Sequence, residues 1–257
     1  VDPRIWGAKV ATQVLTGGSG GVTDADWFTT PTAYPVHWSD FASPSAVTYQ
    51  VALGTTPGGT DVTDDAPGAV GGFIPSGNNG VDTSMIIALA TPVATGTTVY
   101  ATVRGTDGGG NAVDATSDGS RLDDGGMTVS GLAITSNAAT TVGDVAAWLA
   151  SSQAWVSWTH NAPVSGVAGC SAAITTTFDG VDTTTEHESM TAVAVAGADG
   201  SLQLADGTAV QATVTCTSGA GVVGVATSAL VTLDTTPPTV GHVFDGPPGE
   251  SLAVHAS

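Results

Sequence analysis

The chain of 257 residues carries only four Lys and Arg side chains against 23 acidic ones, a net charge of −19. So few basic groups exclude nucleic acid and anionic membrane surfaces as partners, since both require basic patches. Glu is also scarce, occurring only at Glu186, Glu188 and Glu250. The remaining acids are Asp in Gly-, Thr- and Ser-rich loops, which suits a β-protein with many turns better than a helical one. Apolar runs fall well short of bilayer-spanning length, so direct membrane insertion is not expected. Helical periodicity is nearly absent. Asn-x-Ser/Thr acceptors are missing altogether, and there are just two cysteines, Cys170 and Cys216.

What is present is said almost twice. Asp26-Trp27 followed by Val36-His37-Trp38 returns as Ala147-Trp148 followed by Val156-Ser157-Trp158, and Val99-Tyr100-Ala101-Thr102-Val103 returns as Val210-Gln211-Ala212-Thr213-Val214. Trp27 and Trp148 stand 121 residues apart, as do Tyr49 and Cys170, whereas Val99 and Val210 stand 111 apart. About ten residues are therefore missing from the second copy between Thr55/Thr176 and Val99/Val210. That variable stretch is expected to be mostly loop and edge, because insertions settle in surface connections. A fixed period of this size marks modules strung end to end. The expected division is a first module at 1–123, a second at 124–234, and a linker with the start of a third at 235–257. Lacking an initial Met, the chain reads as a piece of a longer polypeptide.

Short alternating runs bounded by Gly, Pro, Asp and Asn predict strands at Val36-Trp38 and Val156-Trp158, and at Thr48-Leu53 and Gly169-Ile174. Further strands are expected at Met85-Leu89 and Leu202-Leu204, at Val99-Arg104 and Val210-Cys216, and in the closing segments Thr116-Leu122 and Thr227-Leu233. Seven short strands, with one Trp on the second and alternating apolar residues on the third and sixth, describe an all-β, tandem Greek-key β-sandwich.

Particular residues carry a resemblance. Trp38-Ser39-Asp40-Phe41 leads into Tyr49-Gln50-Val51-Ala52-Leu53-Gly54-Thr55-Thr56-Pro57-Gly58-Gly59. Tyr100-Ala101-Thr102-Val103-Arg104 follows, and the junction reads Leu233-Asp234-Thr235-Thr236-Pro237-Pro238. This pattern resembles the fibronectin type III and immunoglobulin-like repeats of large extracellular surface proteins of protists and algae, the kind found in flagellar-hair (mastigoneme) proteins. The second copy departs from it, with Thr159-His160 where the first has a turn to Phe41 and Thr175-Thr176-Thr177-Phe178-Asp179-Gly180 in place of the Pro-Gly-Gly turn. In a fibronectin-type sandwich the third and sixth strands are antiparallel neighbours. Pairing Tyr49 with Gly105, Val51 with Val103 and Leu53 with Ala101 keeps a residue sum of 154. Carried to the second copy, this register sets Cys170 opposite Cys216, close enough for a disulfide. Such a bond implies an oxidising compartment. Two free, buried thiols acting as small apolar residues are the alternative.

The resemblance implies a non-catalytic structural segment of a long extracellular repeat protein that builds a cell-surface or flagellar filament or appendage by module stacking and lateral contacts with other copies or other modules of the same protein. A calcium-dependent adhesin or a carbohydrate-binding array is the alternative. No enzymatic activity is expected, since no Gly-x-Ser-x-Gly elbow with supporting partners occurs among the many serines. The five histidines, His37, His160, His187, His242 and His255, show no metal-ligand spacing and read as scattered surface residues. Calcium carries more weight than zinc at those histidines: Asp2, Asp123, Asp124 and Asp234 fall at junctions, and Asp61, Asp64 and Asp65 cluster in the variable loop. Against this, Asp is the ordinary turn residue, and Thr235-Thr236-Pro237-Pro238 stiffens a junction without metal. Trp6, Trp27 and Trp155 stand outside the core pattern, where they suit sugar stacking or packing between modules. The Thr- and Ser-rich surface admits O-linked glycans.

Overall fold

A computed structural model describes residues 13–16, 25–39, 41–135, 148–149, 154–189, 192–196 and 204–241. The first half contains β1 (Gln13–Thr16), β2 (Trp27–Phe28), β3 (Ala33–Ser39), β4 (Val47–Gly54), β5 (Ile74–Pro75), β6 (Ser84–Ala88), β7 (Thr98–Asp107), β8 (Ala112–Thr116) and β9 (Ser120–Leu122). β1, β3 and β6 form a three-stranded antiparallel sheet with β3 central. The facing sheet runs β2-β9-β7-β4-β5, with β8 also on β7. β8 and β9 are one closing strand interrupted at Ser117–Gly119, where Gly119 takes φ 95°.

The second half repeats this plan with β10 (Thr128–Thr135), β11 (Trp148–Leu149), β12 (Ala154–Asn161), β13 (Val167–Phe178), β14 (Val181–Glu188), β15 (Ala192–Ala196), β16 (Ala209–Ser218), β17 (Val223–Thr227) and β18 (Val231–Leu233). β10-β12-β15 is the smaller sheet and β11-β18-β16-β13-β14 the larger, with β17 also on β16. The protein is thus all-β, built as sandwiches of the fibronectin III type.

Strict alternation explains why these segments fold as they do. On β3, Tyr34, Val36 and Trp38 point inward and are buried, while the residues between them are half-exposed. On β12, Ala154, Val156 and Trp158 do the same. Each half has its own core. Phe28, Tyr34, Trp38, Tyr49, Val51, Leu53 and Leu122 lie in the first, and Ile134, Leu149, Trp158, Ile174, Val214 and Leu233 in the second. Three edge-to-face aromatic pairs, Phe28–Tyr34, Trp38–Tyr49 and Phe41–Tyr49, organise the first core.

Two sequence expectations are corrected. The strand beside β12 is Ala192–Ala196, not Leu202–Leu204; Leu204 is not in a strand, and positions 202–203 lie outside the described residues. The alternating Ala-Val-Ala-Val-Ala run supplies the β-character there. The variable stretch of the second half is also more than loop: β13 runs on into β14 as a long hairpin. Its two-residue turn is Asp179-Gly180, both at positive φ (52° and 75°), which suits the twist of the flanking strands. In the first half the same place holds a loop and the two-residue edge strand β5, whose Pro75 blocks further pairing.

One buried polar contact ties the two sheets of the first sandwich. The Tyr34 hydroxyl is fully buried, donates to the Val99 carbonyl (2.9 Å) and shares a 2.7 Å hydrogen bond with the Ser120 hydroxyl. Tyr34→Phe withdraws that hydroxyl from two buried partners and is expected to cost about 1–3 kcal/mol. Urea unfolding should show a lower midpoint with an unchanged slope.

Candidate functional site at the junction of the two sandwiches

The chain leaves the first sandwich through Leu122 and Asp123. Leu122 N–H bonds the Thr97 carbonyl (2.9 Å) and Asp123 N–H bonds the Phe28 carbonyl (2.9 Å). The exit from the second sandwich has the same frame: Leu233 N–H to the Thr208 carbonyl (2.8 Å) and Asp234 N–H to the Leu149 carbonyl (2.9 Å).

At the first exit, Asp123 is only 2% exposed. One carboxylate oxygen accepts the Gly125 N–H and the other the Ser165 N–H, both at 3.2 Å. Ser165 lies in the loop between β12 and β13, so a carboxylate of the first sandwich grips a backbone amide of the second. The grip extends one step further, since the Ser165 hydroxyl accepts the Ala220 N–H (3.1 Å) and Gly219 N–H bonds the Gly166 carbonyl (3.0 Å). Just past the junction, Met127 is buried in the second core. Gly224 on β17 lies directly against the Met127 carbonyl, leaving no room for a Cβ. A buried carboxylate held by backbone amides is well satisfied without a cation.

At the second exit Asp234 is exposed, and its carboxylate accepts the Thr236 N–H (3.1 Å). Asp206 accepts the Thr235 N–H (2.6 Å) and hydroxyl (3.1 Å) on one oxygen and the Thr236 hydroxyl (2.8 Å) on the other. The Thr235 amide, followed by the Thr236 hydroxyl, holds the Asp206 carboxyl below its ordinary range. The segment entering Pro237-Pro238 is thereby fixed in direction.

The calcium candidates divide between these two exits. Asp123 and Asp234 stand at separate junctions in hydrogen-bonding roles, Asp124 is exposed, and Asp2 lies outside the described residues. In the variable loop, burial raises the Asp61 pKa, but the Thr55 amide (2.9 Å) and hydroxyl (2.8 Å) outweigh it and leave the carboxyl below its ordinary range. Asp64 accepts the Thr60 hydroxyl (2.7 Å). Asp61 and Asp65 line a half-open cleft of about 390 Å³ with Thr55, Pro92 and Thr97. Both Arg side chains in the described residues are engaged: Arg104 pairs with Asp114 (2.7 Å) and lies over the Phe73 ring, and Arg121 donates to the Gly96 carbonyl (2.7 Å).

Trp27 and Trp155 are half-buried, and Trp6 lies outside the described residues. Trp148, the repeat partner of Trp27, is the exposed one at 61%.

One layer in from the Ser165 loop, β13 pairs with β16 in the register read from the sequence: Cys170 with Cys216, Ala172 with Val214, and Ile174 with Ala212. Cys170 and Cys216 form a disulfide, and both are buried. The first sandwich pairs Tyr49 with Gly105 at this place, and a side chain on Gly105 would collide with the Phe41 ring. The sequence places His160 at the surface, yet it is half-buried beside the two cysteines. Its position two residues beyond Trp158, on the same alternating face, was the available signal.

No family model and no curated protein matches this chain. Among solved structures it is similar to the FN1–FN3 domains of chicken CNTN1, at 13% identity over 88% of this chain and 67% of that one, with a TM-score of 0.40. It is also similar to fibronectin(III)-like modules of Clostridium thermocellum CbhA, at 10% identity over 90% and 100%, with a TM-score of 0.43. The chicken interferon gamma receptor alpha chain gives 8% identity over 86% and 95%, with a TM-score of 0.30. The fold assignment rests on the sheets themselves.

The disulfide closes a loop with a sequence separation of 46 residues. Replacing both cysteines by Ala is expected to lower the unfolding free energy by about 4 kcal/mol, on the loop-entropy relation. Comparing denaturant unfolding of the oxidised chain with Cys170→Ala/Cys216→Ala checks this.

Proposed function

We propose that the chain is a non-catalytic structural segment of a long extracellular repeat protein. Its modules are 1–123 and 124–234, with the start of a third at 235–257. It serves in a cell-surface filament or appendage of the flagellar-hair kind that its repeat pattern resembles. The observation that carries this reading is the buried Asp123 carboxylate, which joins one sandwich to a loop of the next and so sets their angle. The repeated exit frame at Asp234 and the Asp206 contacts ahead of Pro237-Pro238 favour the same geometric role. The disulfide supports an oxidising, extracellular setting, and the exposed threonines of β14 offer hydroxyls for O-linked glycans.

Small-angle scattering of the chain tests the geometric role. The wild type is expected to give a narrow, extended distance distribution, and Asp123→Ala a broader one, with both cores still melting cooperatively. Identical scattering from the two proteins would overturn the role given to Asp123.

Lateral contact is assigned to β14, which ends its sheet with eight exposed or half-exposed residues and no strand beyond it among those described. Counting from the closing pair Phe178–Val181, the backbone groups of Thr184 face the open side. Asp182, Glu186 and Glu188 repel their counterparts on another copy, so association should strengthen with salt. Thr184→Pro is expected to abolish it with only a small loss of stability, because the exposed Thr175–Thr184 hydroxyl contact goes with it. Sedimentation velocity across a salt series decides the matter: a monomer at every salt concentration, or equal association of the variant, counts against β14.

A further inference from the structure

Among the described residues, the group of metal-competent side chains is His160, Cys170 and Cys216, with ligand atoms within 4.8 Å of one another. Both sulfurs are occupied by their mutual bond. The imidazole is the unused member: Nδ1 of His160 is buried and has no hydrogen-bond partner. An imidazole that lies beside two sulfurs and holds a buried, unpartnered nitrogen calls for a physical reason. Two thiolates and a neutral imidazole form a soft donor set suited to Zn²⁺, with a fourth position left for water. The first sandwich has no counterpart, since Tyr49 and Gly105 stand at the cysteine positions with Phe41 against the glycine.

We propose that His160, Cys170 and Cys216 form a zinc site in the reduced chain, of which the disulfide is the oxidised, closed state. Opening the site needs a dithiol reductant, so the zinc form belongs to reducing surroundings and the disulfide form to the oxidising setting proposed above. A thiolate of the reductant attacks one sulfur, the S–S bond breaks, two electrons pass to the cysteine pair, and the reductant leaves as its own disulfide. Zn²⁺ then displaces the two thiol protons to solvent and takes the imidazole lone pair. The consequence is mechanical. The disulfide joins β13 to β16 within one sheet, whereas the metal also binds β12 of the facing sheet. Reduction with zinc therefore exchanges a tie within one sheet for a clip between the two.

The test is Co²⁺ titration of the full chain after reduction by a water-soluble phosphine, which takes up oxygen from water as the disulfide becomes two thiols. One Co²⁺ per chain is expected, with thiolate charge-transfer and tetrahedral ligand-field absorption, displaced by Zn²⁺. The unreduced chain should show neither band. His160→Ala should weaken Co²⁺ binding at least about tenfold. His187→Ala should leave it unchanged; this histidine on β14 also has a buried, unpartnered ring nitrogen but lies outside the group. Melting of the oxidised variants and far-ultraviolet circular dichroism of the reduced chain report whether each is folded. Absence of the bands in a folded reduced chain, equal affinity of His160→Ala, or loss of the β signal on reduction each overturns the site.

Discussion

The antiparallel pairing of the third and sixth strands, β4 with β7 and β13 with β16, is the constraint on which the rest depends. In each sandwich this pairing puts three successive inward residues opposite three others: Tyr49, Val51 and Leu53 against Gly105, Val103 and Ala101, and Cys170, Ala172 and Ile174 against Cys216, Val214 and Ala212. A slip of one residue would turn the inward set of the displaced strand to the opposite face of the sheet. With the register held, Trp38 and Trp158 have a floor to pack on, the closing strands reach β2 and β11, and the two sulfurs meet.

A chain with so few cations must hold its carboxylates by other means, and backbone amides supply them. Asp123 takes amides of Gly125 and Ser165, Asp206 that of Thr235, and Asp61 that of Thr55. Asp107 takes the Asn111 side chain and the amides of Asn111 and Gly109, with its carboxyl held low, the Asn111 side chain contributing most. Such contacts are local and leave the net charge in place. The surface stays strongly acidic while individual turns and junctions are fixed, so long-range repulsion and short-range order coexist.

The repeat made most of the fold legible. Comparing two copies located the paired strands and the register, and the cysteines followed from that register rather than from their spacing. Two things escaped. Aligning the second copy on the first hid the hairpin, because the first has a Pro-Gly-Gly loop where the second has Phe178-Asp179-Gly180-Val181; read alone, Asp-Gly between β-formers is a strong hairpin signal. His160 escaped because metal spacing was sought along the chain, whereas its neighbours arrive from two other strands. Asp123 is marked by its junction position alone. Its engagement with Ser165, 42 residues on, depends on how two sandwiches meet, which no local pattern encodes.

The second sandwich differs from the first in ways that fit together. It lacks the Phe41–Tyr49 contact at its junction end, and a covalent bond between β13 and β16 stands there instead. At the far end of β13 the hairpin carries Phe178 and Val181 exposed at its tip, where the first sandwich folds a loop back onto itself. A strand that projects needs to be anchored at its other end, because exposed pairs near the tip add little burial to hold it. The disulfide sits at the anchored end, beside the loop that Asp123 grips. The junction loop, the covalent tie and the exposed hairpin tip thus lie in sequence along β13.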